Sequence, residues 1–336
     1  MEPLRVIAAL DVPPGNLTLS PEGRIFLSLH QFHNPDNCVC ELIDGVLHPY
    51  PRGPEAAQFS FASVLGLQVD SAGWLWMLDN GDQNRALPKL VAWDTVKDRL
   101  ARIIYLPPPF STSESFLNDL VVDLTRNMIY ISDPIQETSA LVRVDLTTGH
   151  VSRVLQGHVS VVPEALDLII DGVPVQIKAE DGTVFRPRLG VNGIALDAQN
   201  DWVYLAPMHA SSMYRVKSAD LADLSLSPAA LAERVERYSD KPICDGISID
   251  RDNNLYVGDL AAGGVGVIRA DKTYALLAKD EKLGWTDSFS FGPDGGLYCD
   301  CNQLNRSAVL NAGDEASSPP YYVLRLEPLA PGFVGR

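Results

Sequence analysis

The sequence has no long apolar run and no excess of positive charge. A helix that crosses a bilayer needs about 20 mostly apolar residues, and no segment approaches that pattern. Acidic residues number 43 against 27 basic residues, which gives a net charge of −16, so the phosphate backbone of a nucleic acid would be repelled. These features argue against a membrane span and a nucleic-acid partner. We expect a small-molecule ligand or substrate, and the sequence leaves the oligomeric state open.

Several short motifs are also missing. The first ten residues contain charged residues and no long apolar run, unlike a secretory signal, so we expect a cytoplasmic protein if the sequence is complete. A secreted or periplasmic protein is expected if a leader was removed. The five cysteines lack CxxC spacing, which leaves a zinc site unsupported. Most should be buried thiols, and the alternative is a disulfide that joins Cys38 or Cys40 to Cys299 or Cys301.

What the chain does have is one short pattern that recurs along most of its length. A polar or glycine residue is followed by two apolar positions separated by one residue, then in most copies by Asp or Ser, a turn and a second apolar strand. The copies are 16–20, 66–70, 119–123, 193–197, 246–250 and 288–292. With two further strands between successive copies, this repeat predicts an all-β, six-bladed β-propeller with four strands in each blade.

The two ends of the chain predict how the ring closes. Residues 321–326 supply a third strand after the sixth copy, whereas residues 4–10 form a strand without a partner at the start. Pairing them would complete the last blade and remove an exposed edge. We therefore predict one domain, 1–336, with an inserted hairpin at 167–183 and one short helix that is capped by Ser227 and covers 229–238.

A propeller of this kind gathers polar side chains at one mouth of its central channel. Residues just before the first strand and just after the second strand of each blade converge there. The first set is Asn16, Gly66, Asn118, Asp119, Asn192, Asp245 and Asp287; the second is His30, Asp79, Asp133, His209, Asp259 and Asn302. Such a ring can bind a hard cation or perform acid–base chemistry. Equally, Asn and Asp at strand ends commonly satisfy backbone groups in turns.

Three stretches carry a family resemblance. They are Gly190-Val-Asn-Gly-Ile-Ala-Leu-Asp197, Trp202-Val-Tyr-Leu-Ala-Pro207 with Ser212-Met-Tyr-Arg-Val216, and Trp285-Thr-Asp-Ser-Phe-Ser-Phe291 with Asn302-Gln-Leu-Asn305. They resemble the major royal jelly and yellow protein family, whose propellers are implied to have six blades. That family includes pigment-pathway, nutritional and amine-binding proteins, so the resemblance does not fix an activity.

A more distant resemblance reaches the regucalcin and gluconolactonase propellers. There a divalent metal held by a glutamate, asparagines and an aspartate polarises a sugar lactone. The resemblance implies Asn192 and Asp245 as metal ligands and Asn118 as a substrate or secondary ligand, with Ca²⁺ the expected ion and no other cofactor. Asn16 replaces the glutamate of the first blade, which removes one ligand charge and weakens affinity. Asp119 or Asp287 would have to compensate.

Three functions follow as hypotheses from these residues. The first is hydrolysis of a cyclic ester at the channel mouth, with a metal on Asn118, Asn192 and Asp245. The second is a non-catalytic binder of an amine or aromatic ligand, and the third is a metal-free cyclisation or addition enzyme. The catalytic candidates are Asp245, Asp119 and His209, and the substrate-binding candidates are Asn16, His30, Asp79, Asp133, Trp285, Asp287 and Asn302. A tryptophan at the channel rim suits stacking on a ring.

Overall fold

The protein is a six-bladed β-propeller, as predicted. The computed structural model describes residues 4–82 and 85–336. Six antiparallel sheets of four strands form the blades, and the segments that connect the strands contain two small hairpins and two short α-helices. No helix in the described residues is long and apolar enough to cross a membrane.

The first three blades follow the repeat closely. The chain starts with β1 (Arg5–Leu10), which belongs to the last blade. Blade 1 is β2 (Pro14–Leu19), β3 (Ile25–Leu29), β4 (Val39–Ile43) and β5 (Val46–Pro49). Blade 2 is β6 (Val64–Val69), β7 (Trp74–Asp79), β8 (Lys89–Asp94) and β9 (Arg99–Tyr105). Blade 3 is β10 (Leu120–Asp123), β11 (Met128–Asp133), β12 (Ala140–Asp145) and β13 (Val151–Val154).

Two hairpins separate blade 3 from the second half of the ring. They are β14 (Ile169–Ile170) with β15 (Val173–Pro174), and β16 (Ile177–Lys178) with β17 (Val184–Phe185). Blade 4 is β18 (Val191–Leu196), β19 (Trp202–Pro207), β20 (Ser212–Lys217) and β21 (Glu236–Asp240), with α1 (Ser218–Ala222) and α2 (Pro228–Ala232) before β21. Blade 5 is β22 (Cys244–Ile249), β23 (Leu255–Asp259), β24 (Gly264–Ile268) and β25 (Tyr274–Lys279). Blade 6 is β26 (Thr286–Phe291), β27 (Leu297–Cys301), β28 (Tyr321–Leu326) and β1.

The ring closes through its two ends, as predicted. Strand β1 pairs antiparallel with β28, with Arg5 opposite Arg325 and Leu10 opposite Tyr321. The fourth strand of the last blade therefore comes from the start of the chain. This pairing hydrogen-bonds the outer side of β28, which would otherwise be a free sheet edge.

The structure explains why aspartate recurs at the end of the first strand in most copies of the repeat. Oδ1 of Asp70 accepts hydrogen bonds from the N–H groups of Ala72 and Trp74 at 2.8 and 3.0 Å. Oδ1 of Asp250 likewise accepts from the N–H groups of Asp252 and Asn254, both at 2.9 Å. Each carboxylate therefore fixes the turn into the second strand.

Two details of the connections differ from prediction. The segment 167–183 contains two hairpin turns rather than one, at Asp171-Gly172 and Asp181-Gly182, because each Asp-Gly pair favours a tight turn. Ser227 caps α2 as expected, since its hydroxyl accepts from the N–H of Ala230 at 3.2 Å. However, α2 ends at Ala232, and the predicted second half of the helix is strand β21. Pairing with β20 there overrides helix propensity.

The hydrophobic core is distributed between neighbouring blades. One cluster joins Trp76 and Leu90 of blade 2 to Ile129 and Val142 of blade 3. A fully buried tryptophan removes on the order of 200 Å² from water, worth roughly 5 kcal/mol of transfer free energy. All five cysteines are free thiols and four of them are buried, so they serve as small core residues rather than as a disulfide.

The C-terminal residues close the channel at the end opposite the predicted site. The N–H of Gly335 donates to the carbonyl of Phe291, and the hydroxyl of Thr18 donates to the carbonyl of Gly335, both at 3.0 Å. A Cβ atom on Gly335, whose φ is +86°, would lie 2.2 Å from the carbonyl oxygen of Val69, so only glycine fits there. The Arg336 guanidinium donates to the carbonyl of Asp197 at 3.0 Å. Access to the channel at this end is therefore blocked by the chain itself.

Candidate functional site

The candidate site lies at the starts of the inner strands, where β-bulges turn polar side chains toward the channel. The pairing register shifts just before Asn16 in β2, at Asn192 in β18, between Cys244 and Ile247 around Asp245 in β22, and between Thr286 and Phe289 around Asp287 in β26. A bulge inserts an extra residue and re-aims the side chain beside it. The same local irregularity in several blades therefore brings distant amide and acid groups together.

Glycines in the repeat allow these strands to approach one another. A Cβ atom on Gly193 would lie 2.6 Å from the carbonyl oxygen of Asp245, and one on Gly246 would lie 2.0 Å from that of Asp287. Such contacts are too short for any side chain. The Asn192-Gly and Asp245-Gly pairs therefore combine a polar side chain with the space that the next blade requires.

Asp245 is the best-connected member of the site. Its Oδ1 accepts a hydrogen bond from the Asn192 side-chain amide, and its Oδ2 accepts from the indole Nε1 of Trp285 at 2.7 Å. All three side chains are buried, with 4% of Asp245 exposed. Burial, together with the nearby Asp300 and Asp119 carboxyls, raises the pKa of Asp245 to about 7.

Four carboxyl groups form what we call the acid cluster: Asp119, Asp245, Asp287 and Asp300. Burial raises the pKa of Asp119 to about 7, against hydrogen bonds from the Leu120 and Ile194 N–H groups and the Asn16 side chain, which lower it. Burial and the neighbouring carboxyls also raise the pKa of Asp287 well above its usual range. Among the described residues, none of the four forms an ion pair. Burial and mutual repulsion therefore favour the protonated form of these carboxyls relative to exposed aspartates.

Asp300 is a member of the acid cluster that sequence reasoning missed. Its Oδ1 accepts from the N–H and hydroxyl of Ser288 at 2.9 and 2.6 Å, whereas its buried Oδ2 has no hydrogen-bond partner. Burial raises its pKa to about 6. The signal was present, because an aspartate between Cys299 and Cys301 in a core strand is buried without an obvious structural reason.

Asp79 and Asp133 also lie at strand ends, but they are engaged in structural contacts. Asp79 is fully buried and pairs with the Lys89 ammonium at 2.7 Å, while it accepts from the N–H groups of Ala62 and Ser63. Asp133 makes the equivalent ion pair with Arg153 at 2.6 Å. Both hold the loop that leads into their blade, so we leave them outside the proposed site.

The two candidate histidines are buried and electrically neutral near pH 7. Nδ1 of His30 accepts from the N–H of Phe32 at 3.3 Å, and burial lowers its pKa to about 3. Nδ1 of His209 accepts from the N–H of Leu189 at 3.0 Å, and burial and the Lys241 charge lower its pKa to about 4. The Nε2 atom of His209 has no partner. Neither ring suits proton transfer near pH 7, but His209 can donate a hydrogen bond from Nε2.

The remaining candidates border the acid cluster. The Asn302 side-chain amide donates to Asp287 and to the carbonyl of Pro14. Asn118 directly precedes Asp119, and its N–H donates to the carbonyl of Ser132 at 3.0 Å. Of the three predicted metal ligands, the structure places Asn192 and Asp245 in direct contact.

An apolar cover lies over this mouth of the channel. It packs Trp285 against Leu168 and Val175 of the inserted segment and against Leu304 and Leu310 of the loop before β28. The cavity within the channel measures only about 40 Å³. A benzene-sized guest occupies an apolar cavity of about 150 Å³, so this cavity, which Asn16 and Asp119 line, has room for an ion or a few waters but not for a sugar lactone.

The oxygen atoms of the site are of the kind that bind a hard cation. Carboxylate and amide oxygens are the ligands that Ca²⁺ prefers, and the unpartnered Oδ2 of Asp300 lacks a hydrogen-bond donor. In contrast, the described residues contain no group of three or more His, Cys, Asp or Glu side chains arranged to hold a metal. A cation here would therefore depend on amide oxygens such as that of Asn192.

Comparisons with known structures support the fold. A luciferin-regenerating enzyme is 14% identical with a TM-score of 0.59, and the match covers 99% of this chain and 98% of that one. A gluconolactonase from Xanthomonas campestris is 13% identical with a TM-score of 0.57, over 97% and 95% of the two chains. A calcium-binding protein, regucalcin, from Agrobacterium tumefaciens is 14% identical with a TM-score of 0.56, over 98% and 96%. At these identities the likeness shows the shared propeller fold alone.

Sequence comparison identifies the family. No curated protein matches this chain. The family model described as major royal jelly protein matches residues 62–282, which is more than half of the 336 residues and includes Asn118, Asn192 and Asp245. Trp285 and the rest of blade 6 lie beyond the matched segment. The chain belongs to the major royal jelly protein family.

Proposed function

We propose that this protein is a small-molecule enzyme of the lactonase-like propeller type, which hydrolyses a cyclic ester at the acid cluster. The observation that carries the proposal is the environment of Asp245. It is held by Asn192 and Trp285, and its pKa of about 7 leaves it ready to accept a proton near neutral pH. A base with such a pKa combines adequate ionisation with adequate basicity.

The reaction is a balanced addition of water to the lactone. Ionised Asp245 takes a proton from water as its oxygen attacks the ester carbonyl, and the tetrahedral intermediate carries the negative charge. The Asn192 amide stabilises this charge as a hydrogen-bond donor. Collapse breaks the ring C–O bond, and the leaving oxygen takes a proton from neutral Asp119, whose pKa is also about 7. The product is the open-chain hydroxy acid.

A divalent cation would be held by Asp245 with the side-chain oxygens of Asn192 and Asn118, and it would act as a Lewis acid on the carbonyl. His209 contributes a hydrogen bond from its unpartnered Nε2–H. Asp287 and Asn302, joined by their own hydrogen bond, and Asn16 orient the substrate. Trp285 fixes Asp245 through Nε1.

The test is hydrolysis of a panel of sugar lactones and simple lactones, followed by acid release with a pH indicator. Asp245→Asn should lower kcat/KM by at least a hundredfold, and the wild-type rate should follow a bell-shaped pH profile with its maximum near pH 7, because Asp245 must be ionised and Asp119 protonated. Asp271→Asn is the matched control, because Asp271 lies on an exposed turn of the same blade and accepts from Thr273. Wild-type activity that Asp245→Asn leaves intact would contradict the proposal.

A second candidate function is supported by the acid cluster, which forms no ion pair with any residue that the structure describes. Four carboxyls without a basic partner form an environment that favours a cation, and the Trp285 indole could add a cation–π contact. The protein would then bind a small amine without turnover. Calorimetry with phenethylamine separates the two, since the binder predicts heat with the amine and no lactone hydrolysis. Turnover of a substrate other than a lactone, at a rate that a chelator does not reduce, would instead favour a metal-free cyclisation or addition enzyme.

A further inference from the structure

The buried acid cluster needs a route to solvent, because both ends of the channel are covered. The C-terminal residues close one end, and the apolar cover closes the other. The cavity lined by Asn16, Asp119 and Arg336 measures about 40 Å³ and cannot hold an organic substrate, and Asp245 is only 4% exposed. Some part of the wall must therefore move before a ligand meets Asp245.

A large groove lies on the outer side of this wall. It measures about 890 Å³ and runs between blade 5, blade 6 and the first inserted hairpin. This is within the usual range of small-molecule sites, about 300 to 1,000 Å³. Ala261, Lys279, Gln303 and Pro320 are among the residues that line it.

Trp285 is shared by the groove and the acid cluster. Trp285 is among the residues that line the groove, although only 4% of it is exposed, and its Nε1 donates to Oδ2 of Asp245 at 2.7 Å. Leu260 and Ile170 also line the groove and pack against Trp285 in the apolar cover. Trp285 therefore lies between this groove and the Asp245 carboxyl.

The backbone at Trp285 is strained. Its φ is +56°, a conformation that costs a bulky residue energy and that persists only where the surroundings hold it. The carbonyls of Gly284 and Trp285 accept the N–H groups of Gln303 and Asn302 at 3.2 and 3.3 Å, which are long hydrogen bonds. The indole hydrogen bond to Asp245 and the packing of Trp285 in the apolar cover therefore help to hold this conformation.

We propose that this groove is the entrance to the acid cluster and that Trp285 is its inner wall, so that Trp285 determines which molecules reach Asp245. The inference rests on the proposed function for the role of Asp245 as the reacting group. The groove carries charges of both signs, including Lys279, Arg306, Asp171 and Glu281. It therefore suits the hydroxylated, uncharged part of a substrate, which both donates and accepts hydrogen bonds.

The test deletes the Trp285 side chain and measures whether free indole binds in its place. Trp285→Gly deletes the indole and relieves the positive φ, because glycine accepts that conformation. Indole added to this variant should bind at least tenfold more tightly than to the wild type, measured by calorimetry. A second substitution in the groove, Ala261→Trp, should reduce that binding at least tenfold. Absence of indole binding, or binding that Ala261→Trp does not change, would overturn the entrance.

Trp76→Gly is the matched control. Nε1 of Trp76 also donates to a buried carboxylate, that of Asp70 at 2.8 Å, but Trp76 is only 1% exposed and packs between blades 2 and 3. Any indole that binds in the cavity left by its deletion should bind equally well with and without Ala261→Trp, because Trp76 does not line the groove.

A measurement on the otherwise intact protein decides the case if the glycine variants do not fold. Hydrogen exchange of the Trp285 Nε1–H, followed by NMR, should slow at least fivefold in Ala261→Trp, while that of Trp93, which donates to Asp98, stays unchanged. Equal exchange in both proteins would overturn the entrance. Indole binding and hydrogen exchange can both be measured without turnover. Failure of lactone hydrolysis would therefore reject the proposed function, and the entrance would still be tested by these two measurements.

Discussion

Two groups of buried aspartates lie near the same mouth of this propeller and have opposite surroundings. Asp79 and Asp133 are fully buried, and each is paired with a cation, Lys89 or Arg153. Asp245 and Asp300 are equally buried, yet the charges that act on the pKa of Asp245 are other carboxyls. The first group holds loops in place, whereas in the second, burial raises the pKa of Asp245 to about 7 and that of Asp300 to about 6.

The difference shows that burial alone does not mark a functional carboxyl. A paired carboxylate has its charge compensated by its partner, so removing one member exposes the other to an unfavourable environment. Carboxyls grouped without a cation repel one another, and the pKa of each rises. Such groups destabilise the fold above their pKa values, which suggests that they are kept for chemistry rather than stability.

The largest effect on stability is expected when Arg153 loses its ion-pair partner Asp133. Asp133→Ala should lower the free energy of unfolding by about 3 to 5 kcal/mol, because Arg153 is then buried without its partner. Urea denaturation at pH 7 measures the effect. Asp271→Ala, on an exposed turn, should change stability by less than about 0.5 kcal/mol. A cost below about 1 kcal/mol for Asp133→Ala would show that its ion pair is not structural.

Neutralising a member of the acid cluster should have the opposite sign. Asp300→Asn keeps an oxygen for the two bonds from Ser288 and places the amide at the unpartnered position. The pKa of Asp300 is raised to about 6, so its favourable contribution is complete below the unfolded value and is lost as pH rises through about 6. The variant should therefore be more stable than wild type by about 1 to 3 kcal/mol at pH 8.

That gain should disappear near pH 4, where Asp300 is protonated in the wild type. Urea denaturation at both pH values gives the comparison. A variant that is less stable than the wild type at pH 8 would mean that the ionised carboxylate has a favourable partner in solution.

A smaller effect is expected from calcium, whose stabilisation of the protein should depend on pH. A cation that binds the ionised cluster competes with the protons it holds, so Ca²⁺ should stabilise the protein by about 1 kcal/mol more at pH 8 than at pH 5. Thermal unfolding with calcium or a chelator measures the difference, and Asp245→Asn should reduce it. Equal stabilisation at both pH values would place any calcium elsewhere.

The fold was predictable because the same strand–turn–strand pattern occurs once in each blade. The recurrence of Asp70, Asp123, Asp197 and Asp250 after apolar strands reflects one turn geometry, and the partnerless strands at 4–10 and 321–326 indicate closure. The helix at 229–238 was half wrong because pairing between β20 and β21 depends on contacts that local propensity does not contain.

The candidate site was predictable in position but not in chemistry. Strand order brings Asn192, Asp245 and Trp285 together, as the repeat implied. The ion pairs of Asp79 and Asp133 were not visible, because Lys89 and Arg153 come from the third and fourth strands of their blades. The apolar cover depends on which loops fold over the mouth, and no repeat encodes that.

The central claim is that Asp245 titrates near neutrality inside a cluster that lacks a cation. Trp285 reports on it directly, because its Nε1–H donates to Asp245. In chelator-treated protein, the ¹H–¹⁵N signal of the Trp285 indole should shift with a midpoint at about pH 7, and the Trp93 signal should not show that transition. A Trp285 signal that stays constant between pH 5 and pH 9 would contradict the account.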